Sequence, residues 1–253
     1  MLRGWPRTPV AALLHAKTVS GGGIAALRTR IAVPSTNRQF AARLFDRATP
    51  LEALEATGSD PLALEGARVP YAIPHFALDR VGVEIGLPTG RLRGNAHGYT
   101  AFFTESFIDE LAHAARREPL SYRIEMLGGD LRLAACLTAA ARLGQWGGGL
   151  EGSGQGIACH HIDDPAGREK AGGRIAVIAT ARRDERGVRV DRLAAVADIG
   201  RIVNLDIARQ QIEGGLVFGL GLALGAATGY ARGLPESSRL ARLDLPLLGD
   251  CPK

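Results

Sequence analysis

Alternating and 3.6-residue hydrophobic patterns divide this 253-residue chain into strands and helices. Ala16–Ser20, the glycine triplet Gly21–Gly23 and Ile24–Val33 predict a β-hairpin, with residues 10–33 forming sheet strands. Asn37–Arg47 predicts a short helix, and the acidic, polar run Pro50–Gly66 an excursion over the surface. After a turn-rich approach over Ala67–Ile73, Phe76–Gly86 (FALDRVGVEIG) alternates as a strand. Residues 100–143 are helical in pattern. Phe103, Phe107 and Leu111 recur every fourth position, widened by Ile108, Ala112 and Ala115 into an apolar stripe. Acidic Glu105, Asp109 and Glu110 sit toward its start, and His113, Arg116 and Arg117 at its end, which suits the helix dipole. On this reading Glu105 and Asp109 are solvated scaffold. Pro119 suits the first turn of the next helix, where its missing N–H is harmless.

The glycine-rich run GGGLEGSGQG, 147–156, follows a helix and leads toward a strand. That order does not suit a dinucleotide-type phosphate cradle and predicts a flexible connector. Arg174–Arg182 and Val188–Ala197, joined through DERG (184–187), predict a second hairpin. Its second strand leads into AVADIGRIVNLDIARQQIEGGLVFGLGLAL, 195–224. This run reads as a strand, a turn with Asp198, Gly200 and Asn204, and a helix opening near Asp206. The helix contains Gly214, Gly215, Gly219 and Gly221, each costing roughly 1 kcal/mol relative to alanine. Glycines tolerated at that cost imply close approach of another backbone or of a ligand. Gly215 and Gly219 share a face, and Gln211 lies one turn before Gly215. The tail from Gly233 to Cys251 reads as extended or irregular.

Composition narrows the class. An apolar content of 46% and charged content of 23% fit a folded globular protein with an ample core. The net charge of +5 comes from scattered arginines without interleaved aromatics, which argues against nucleic-acid binding. Cys136, Cys159 and Cys251 form no C-x-x-C pair, which argues against an iron–sulfur or zinc-ribbon site in this chain. Cys136, within LRLAACLTAAARL, reads as a small buried hydrophobe. Cys159, His160, His161, Asp163 and Asp164 lack recognised metal spacing and read as loop or strand edge. The apolar run 216–230 is too short and glycine-rich to span a membrane. His15 and Lys17 interrupt the N-terminal apolar run, which reads as a strand of the fold rather than an export signal. A cytoplasmic or periplasmic location is therefore expected.

Two blocks resemble the molybdenum-cofactor-binding large subunits of the xanthine dehydrogenase and aldehyde oxidase family. They are similar above all to isoquinoline 1-oxidoreductase-like and aldehyde dehydrogenase-like subunits. The run 195–224 matches the family's D-x-G-x-x-x-N-P and Q-x-x-G-G patterns, with Leu205 where proline is usual. GLPTGRLRGNAHGYTAFFTESFIDELA, 86–112, matches its G-x-x-R-(S/G/A) pattern followed by F-x-x-E-S-x-I-D-E-L-A.

The resemblance implies an α+β fold, with residues 1–150 in one molybdopterin-binding subdomain and 151–253 in part of a second. It implies that Arg93, Gly94, Gln211, Gly214 and Gly215 contact molybdopterin, as its cytosine dinucleotide, held together with the rest of the large subunit. Asp198 and Asn204 would organise the turn beneath. Arg93 offers a planar fork of donors to phosphate or pterin oxygens, and Gly94 removes a blocking side chain. The parent would oxidise an aldehyde or N-heteroaromatic substrate with water as oxygen source, passing electrons to a small [2Fe-2S] subunit.

The family's G-x-G-E loop, which supplies its base, and its G-G-G-F-G loop do not occur in this sequence. Neither Glu213 nor Glu236 occupies the base's motif, so no catalytic residue is assigned. The alternative reading is a catalytically silent scaffold or assembly module.

Overall fold

The computed structural model describes residues 8–35, 60–85, 92–147, 151–162, 172–185, 187–225, 229–232, 234–236 and 246–252. The helix expected at Asn37–Arg47 lies outside them, as do residues 50–59 and Asp163 and Asp164. The chain forms two compact units, Met1–Asp130 and Leu131–Lys253. Both mix strands with helices, giving an α+β protein.

The first unit begins with the expected hairpin, β1 (Ala11–Thr18) and β2 (Ile24–Val33), closed by a Val19 N–H···O Gly23 bond of 2.8 Å. A third strand, β3 (His75–Gly82), pairs with β2 in parallel, so the sheet order is β1-β2-β3. Parallel neighbours need a crossover. Part of that crossover is visible as a 3-10 turn at Pro61–Leu64. Residues 60–66 are not the surface excursion expected from their polarity. Asp60 and Ala63 are buried, and Ala63 and Ala67 close a core cluster with Ile31 and Val33 of β2. On β2, Leu27, Thr29, Ile31 and Val33 face this core while Arg28 and Arg30 face outward.

Helix α1 (His97–Ala114) and helix α2 (Pro119–Met126) complete the unit. Pro119 occupies the first turn of α2 as its chemistry suggests. Glu118 caps that helix by accepting the N–H groups of Leu120 (2.8 Å) and Ser121 (2.7 Å). Two tyrosines fasten helices to sheet connections. The Tyr99 hydroxyl donates to the Ala63 carbonyl, and the Tyr122 hydroxyl to that of Gly22 at 2.7 Å. Burial pushes the Tyr122 phenol's pKa up, partly opposed by Arg117.

The buried stripe of α1 shares only Ile108 and Ala112 with the expected one. Thr100, Thr104, Glu105, Ile108 and Ala112 are buried, while Phe103, Phe107 and Leu111 are only half-covered and Phe102 is exposed. Glu105 is likewise no solvated acid. Its carboxylate accepts the Tyr71 hydroxyl at 2.7 Å and Arg123 Nε at 3.0 Å. Arg123 is fully buried and reaches Asp109 (2.6 Å) and the carbonyls of Pro119 and Glu105 (3.2 and 3.1 Å). Burial disfavours the cation, but Glu105 foremost, then Tyr71 and Asp109, hold its pKa above the ordinary value.

The second unit is an antiparallel sheet, β4 (Ser153–Ile162), β5 (Gly173–Asp184) and β6 (Gly187–Asp198), with helix α3 (Leu131–Gly144) packed on one face. Helix α3 belongs with this sheet, so the units divide at 130/131. Leu133, Cys136, Leu137 and Ala140 of α3 meet Ile157, Cys159, Ala176, Ile178 and Ala194 in a core. Cys136 is the small buried hydrophobe its context suggests. The β5–β6 hairpin turns at Asp184–Gly187 as expected. The glycine-rich run is not a connector throughout, because Ser153–Gly156 is already ladder. Gly154 and Gly156 take the exposed positions of β4. Gln155, between them, donates to the Gly144 carbonyl (3.0 Å) and accepts from Gly147 N (2.9 Å), closing the end of α3.

Candidate functional site

Each resembling block forms a well-defined local structure, one in each unit. In the second unit the turn after β6 is built around Asp198. Arg132, on the first turn of α3, grips it bidentately, with Nε to Oδ2 and Nη2 to Oδ1 both at 2.8 Å. The same Nη2 reaches the carbonyls of Asp198 (3.4 Å) and Gly172 (3.2 Å). Asp198 also accepts the Gly200 N–H at 3.2 Å. Hydrogen bonds from Arg132 first, and then from Gly200, lower its pKa from 3.8 to about 2.

Six residues after Asp198, Asn204 caps helix α4 (Leu205–Leu224), accepting Ile207 N–H at 3.0 Å. Leu205 stands at the first helical position, where proline is favoured. With Asn204 capping, leucine is accommodated there and is half-exposed. The sequence pattern thus placed Asn204 correctly at the end of the turn, whereas Asp198, read as a turn residue, is the last residue of β6 and reaches into the turn through its side chain. It missed Arg132, a partner 66 residues away.

The lowered pKa yields a prediction. A carboxylate whose folded pKa is depressed contributes stability above its unfolded pKa, and that contribution is lost as pH falls through the folded value. Asp198→Asn should therefore destabilise the second unit at neutral pH. The difference from the unsubstituted chain should shrink as pH falls from about 4 to about 2. The carboxylate is 39% exposed, and solvent screening leaves about 1 kcal/mol. Denaturation at a series of pH values measures it, and a pH-independent difference would refute the pairing.

Along α4, Gln211 is exposed, while Gly214 and Gly215 are half-buried. The glycines divide between two uses. Gly221 is buried, and a Cβ there would come within 2.9 Å of Pro246 Cδ, so it serves packing. Gly219 has nothing within 4 Å of its Cβ position among the described residues, so its backbone faces open space. Around the helix start, Val203, Leu205 and Ile207 are exposed at 93%, 50% and 57%.

In the first unit Arg93 and Gly94 lie in the turn Arg93–Ala96 that leads into α1, and both are exposed. Gly94 has φ +82°, a conformation that L side chains rarely adopt, and its Cβ position is also open among the described residues. The turn is closed by an Asn95 N–H···O Leu92 bond of 2.9 Å. Arg93 and Gly94 therefore stand side by side, as do Gln211, Gly214 and Gly215 on α4, the two sets in separate units.

Cys159 is buried in β4, one of the two outer strands of its sheet. Among the described residues no group of three metal-ligating side chains forms, and no helix is long and apolar enough to cross a membrane.

Residues 166–252 match the molybdopterin cofactor-binding domain family. That span contains Asp198, Asn204, Gln211, Gly214 and Gly215 but not Arg93 or Gly94. The chain is 27% identical over 227 residues to the beta subunit of isoquinoline 1-oxidoreductase from Brevundimonas diminuta, covering 89% of this chain and 27% of that protein. It is 26% identical over 216 residues to a membrane-bound aldehyde dehydrogenase (pyrroloquinoline-quinone) of Gluconacetobacter polyoxogenes, covering 77% and 27%. A nicotinate dehydrogenase subunit from Pseudomonas putida is 30% identical over 213 residues, covering 78% and 17%. Among solved structures, the aldehyde oxidoreductase of Desulfovibrio gigas aligns with a TM-score of 0.45 and 18% identity, over 74% of this chain and 21% of that one. The chain thus spans about a quarter, or less, of the length of these relatives. The chain is therefore similar over most of its length to part of molybdenum-cofactor-binding large subunits, with a match to the molybdopterin cofactor-binding domain over 166–252.

Proposed function

We propose that this chain forms part of the molybdopterin-binding wall of a molybdenum hydroxylase that oxidises aldehydes or N-heteroaromatic compounds with water as oxygen source. The observation that carries the reading is the domain match over 166–252, centred on the Asp198–Asn204 turn and the glycine-bearing α4. The local chemistry fits a ligand rich in phosphate and pterin oxygens. Arg93 supplies a forked cation, and Gln211 an amide that both donates and accepts. Gly94 and Gly219 have nothing within 4 Å of their Cβ positions among the described residues, so ligand atoms can approach the backbone there.

When bound, the cofactor supplies the redox-active molybdenum that takes up the substrate's electrons. The residues of this chain bind and orient. Arg93 and Gln211 hold oxygens, Gly94, Gly214 and Gly215 permit close approach, and Arg132 with Asp198 fixes the turn from which α4 starts. The cytosine dinucleotide form of the cofactor and a small [2Fe-2S] subunit as electron acceptor complete the reading. That a partner subunit exists is supported by the names of two relatives, each called a subunit; its [2Fe-2S] identity rests on the sequence resemblance.

The test is molybdenum and pterin analysis of the purified chain, produced in a cofactor-making host with and without the iron–sulfur subunit. Bound molybdenum is expected, falling at least tenfold in an Arg93→Ala/Gln211→Ala variant that keeps its circular dichroism. A folded chain that captures the iron–sulfur partner without any molybdenum would instead be an assembly scaffold. Unchanged occupancy in the double variant would remove the contact assignment.

A further inference from the structure

The outward face of the first sheet holds a cationic concavity that the cofactor reading does not use. Strand register places its side chains. His15 of β1 lies opposite Arg28 of β2, and Lys17 opposite Ala26. Across the parallel pair, Ala26 lies opposite His75, and Arg28 opposite Ala77 of β3. Cross-strand partners share a face. His15, Lys17, Arg28 and His75 therefore surround a floor made by Ala26 and Ala77. The result is an open cavity of about 540 Å³, within the range of small-molecule sites.

Charge on this face is unevenly matched. Asp79, opposite Arg30, takes up Arg28 through contacts of 2.8 and 2.7 Å and stands 3.8 Å from Arg30. Among the described residues no carboxylate pairs with Lys17, His15 or His75. The Asp79 pair fixes Arg28 as a wall, leaving Lys17 as the available cation, flanked by two imidazoles that can donate N–H groups. The two alanines expose an apolar surface between them.

We propose that this cavity is a binding site for a small organic anion. The carboxylate or phosphate head is held by Lys17 with His15 and His75, and the apolar body lies on Ala26 and Ala77. The site lies wholly in the first unit and stands or falls independently of the cofactor reading.

The test uses the full chain and three probes that share a phenyl ring: benzoate, phenyl phosphate and neutral benzamide. Titration is followed by calorimetry and by the imidazole NMR signals of the histidines. Both anions are expected to bind at millimolar concentration or tighter and to shift His15 and His75 but not His113 or His160. The tighter of the two identifies the head group. Lys17→Ala should weaken binding about tenfold, as loss of one charge-assisted contact does. Ala77→Leu, which fills the floor at an exposed position, should abolish binding with the fold intact. Equal binding of benzamide, anion binding that leaves His15 and His75 unmoved, or no anion binding at millimolar concentration would each overturn the proposal.

Discussion

Arg123→Ala is expected to destabilise the first unit by about 3–5 kcal/mol, because it strands a buried carboxylate. Arg123 has no solvent-exposed surface and Glu105 only 8% of its own. Removing the guanidinium takes the buried cation away from Glu105. The Tyr71 hydroxyl still donates to that carboxylate, but one neutral donor does not offset desolvation of a charge. Asp109, at 45% exposure, returns to water and contributes little to the loss.

The diagnostic is the double variant. Arg123→Met/Glu105→Gln removes both charges, keeps an acceptor for Tyr71 and fills the guanidinium's volume. It should recover at least half of the lost stability. Hydrogen exchange of the α1 and α2 amides reads the first unit by itself, which a global unfolding curve of a two-unit chain would not. A loss below 1 kcal/mol for Arg123→Ala, or a double variant no better than the single, would show that the cluster is not a closed buried network. The consequence bears on the candidate site, since the network ties α2 to α1 and α1 rises directly from the Arg93–Gly94 turn.

The sequence was readable where a local rule decides the structure. The glycine triplet between two alternating runs supplies the positive φ of the β1–β2 turn at Gly21 and Gly22, and Gly187 of DERG does the same between β5 and β6. Pro119 at a helix start and Asn204 three residues before Ile207 follow from backbone donors that need satisfying. The same signals placed the turn and helix that hold Gln211, Gly214 and Gly215.

What local rules do not encode was misread. Glu105 and Arg123 sit 18 residues apart on different helices, and each alone looks like an ordinary solvated charge. Ile108 and Ala112 were rightly read as buried, but Phe103 and Phe107 drew the centre of the α1 stripe away from the buried face, because Thr100 and Thr104 do not register as core residues. Thr100 is nevertheless buried, donating to the carbonyls of Glu65 (2.9 Å) and Ala96 (3.0 Å). Gly154 and Gly156 suggested a linker, yet on the exposed side of an antiparallel ladder a glycine costs little once the neighbouring strand supplies the hydrogen bonds. The parallel pairing of β3 with β2 left no mark in either strand's own pattern.

The second large effect is expected at Gly128, two residues past α2. Its φ of +59° is the left-handed conformation common just after a helix end, and a Cβ there would run into the Cβ of Ala72. Ala72 is not free to retreat, because its N–H donates to the Met126 carbonyl at 2.7 Å and so ties the 67–73 segment to the end of α2. Gly128→Ala therefore adds a steric penalty of about 1–3 kcal/mol to a conformational one of about 1–2 kcal/mol. A total near 3 kcal/mol is expected in denaturation or exchange measurements. The two parts are separable, since Ala72→Gly in the Gly128→Ala background removes the methyl that is struck but leaves φ unchanged. That variant should regain the steric share and no more. Full recovery would mean the left-handed turn costs alanine nothing here, and no recovery would mean that Ala72 does not limit the approach. Either result would change how the Tyr71–Ala72 stretch is understood to lock α2 in place. Tyr71 is also the residue that hydrogen-bonds Glu105, so the turn at Gly128 and the buried arginine network brace the same short segment from its two sides.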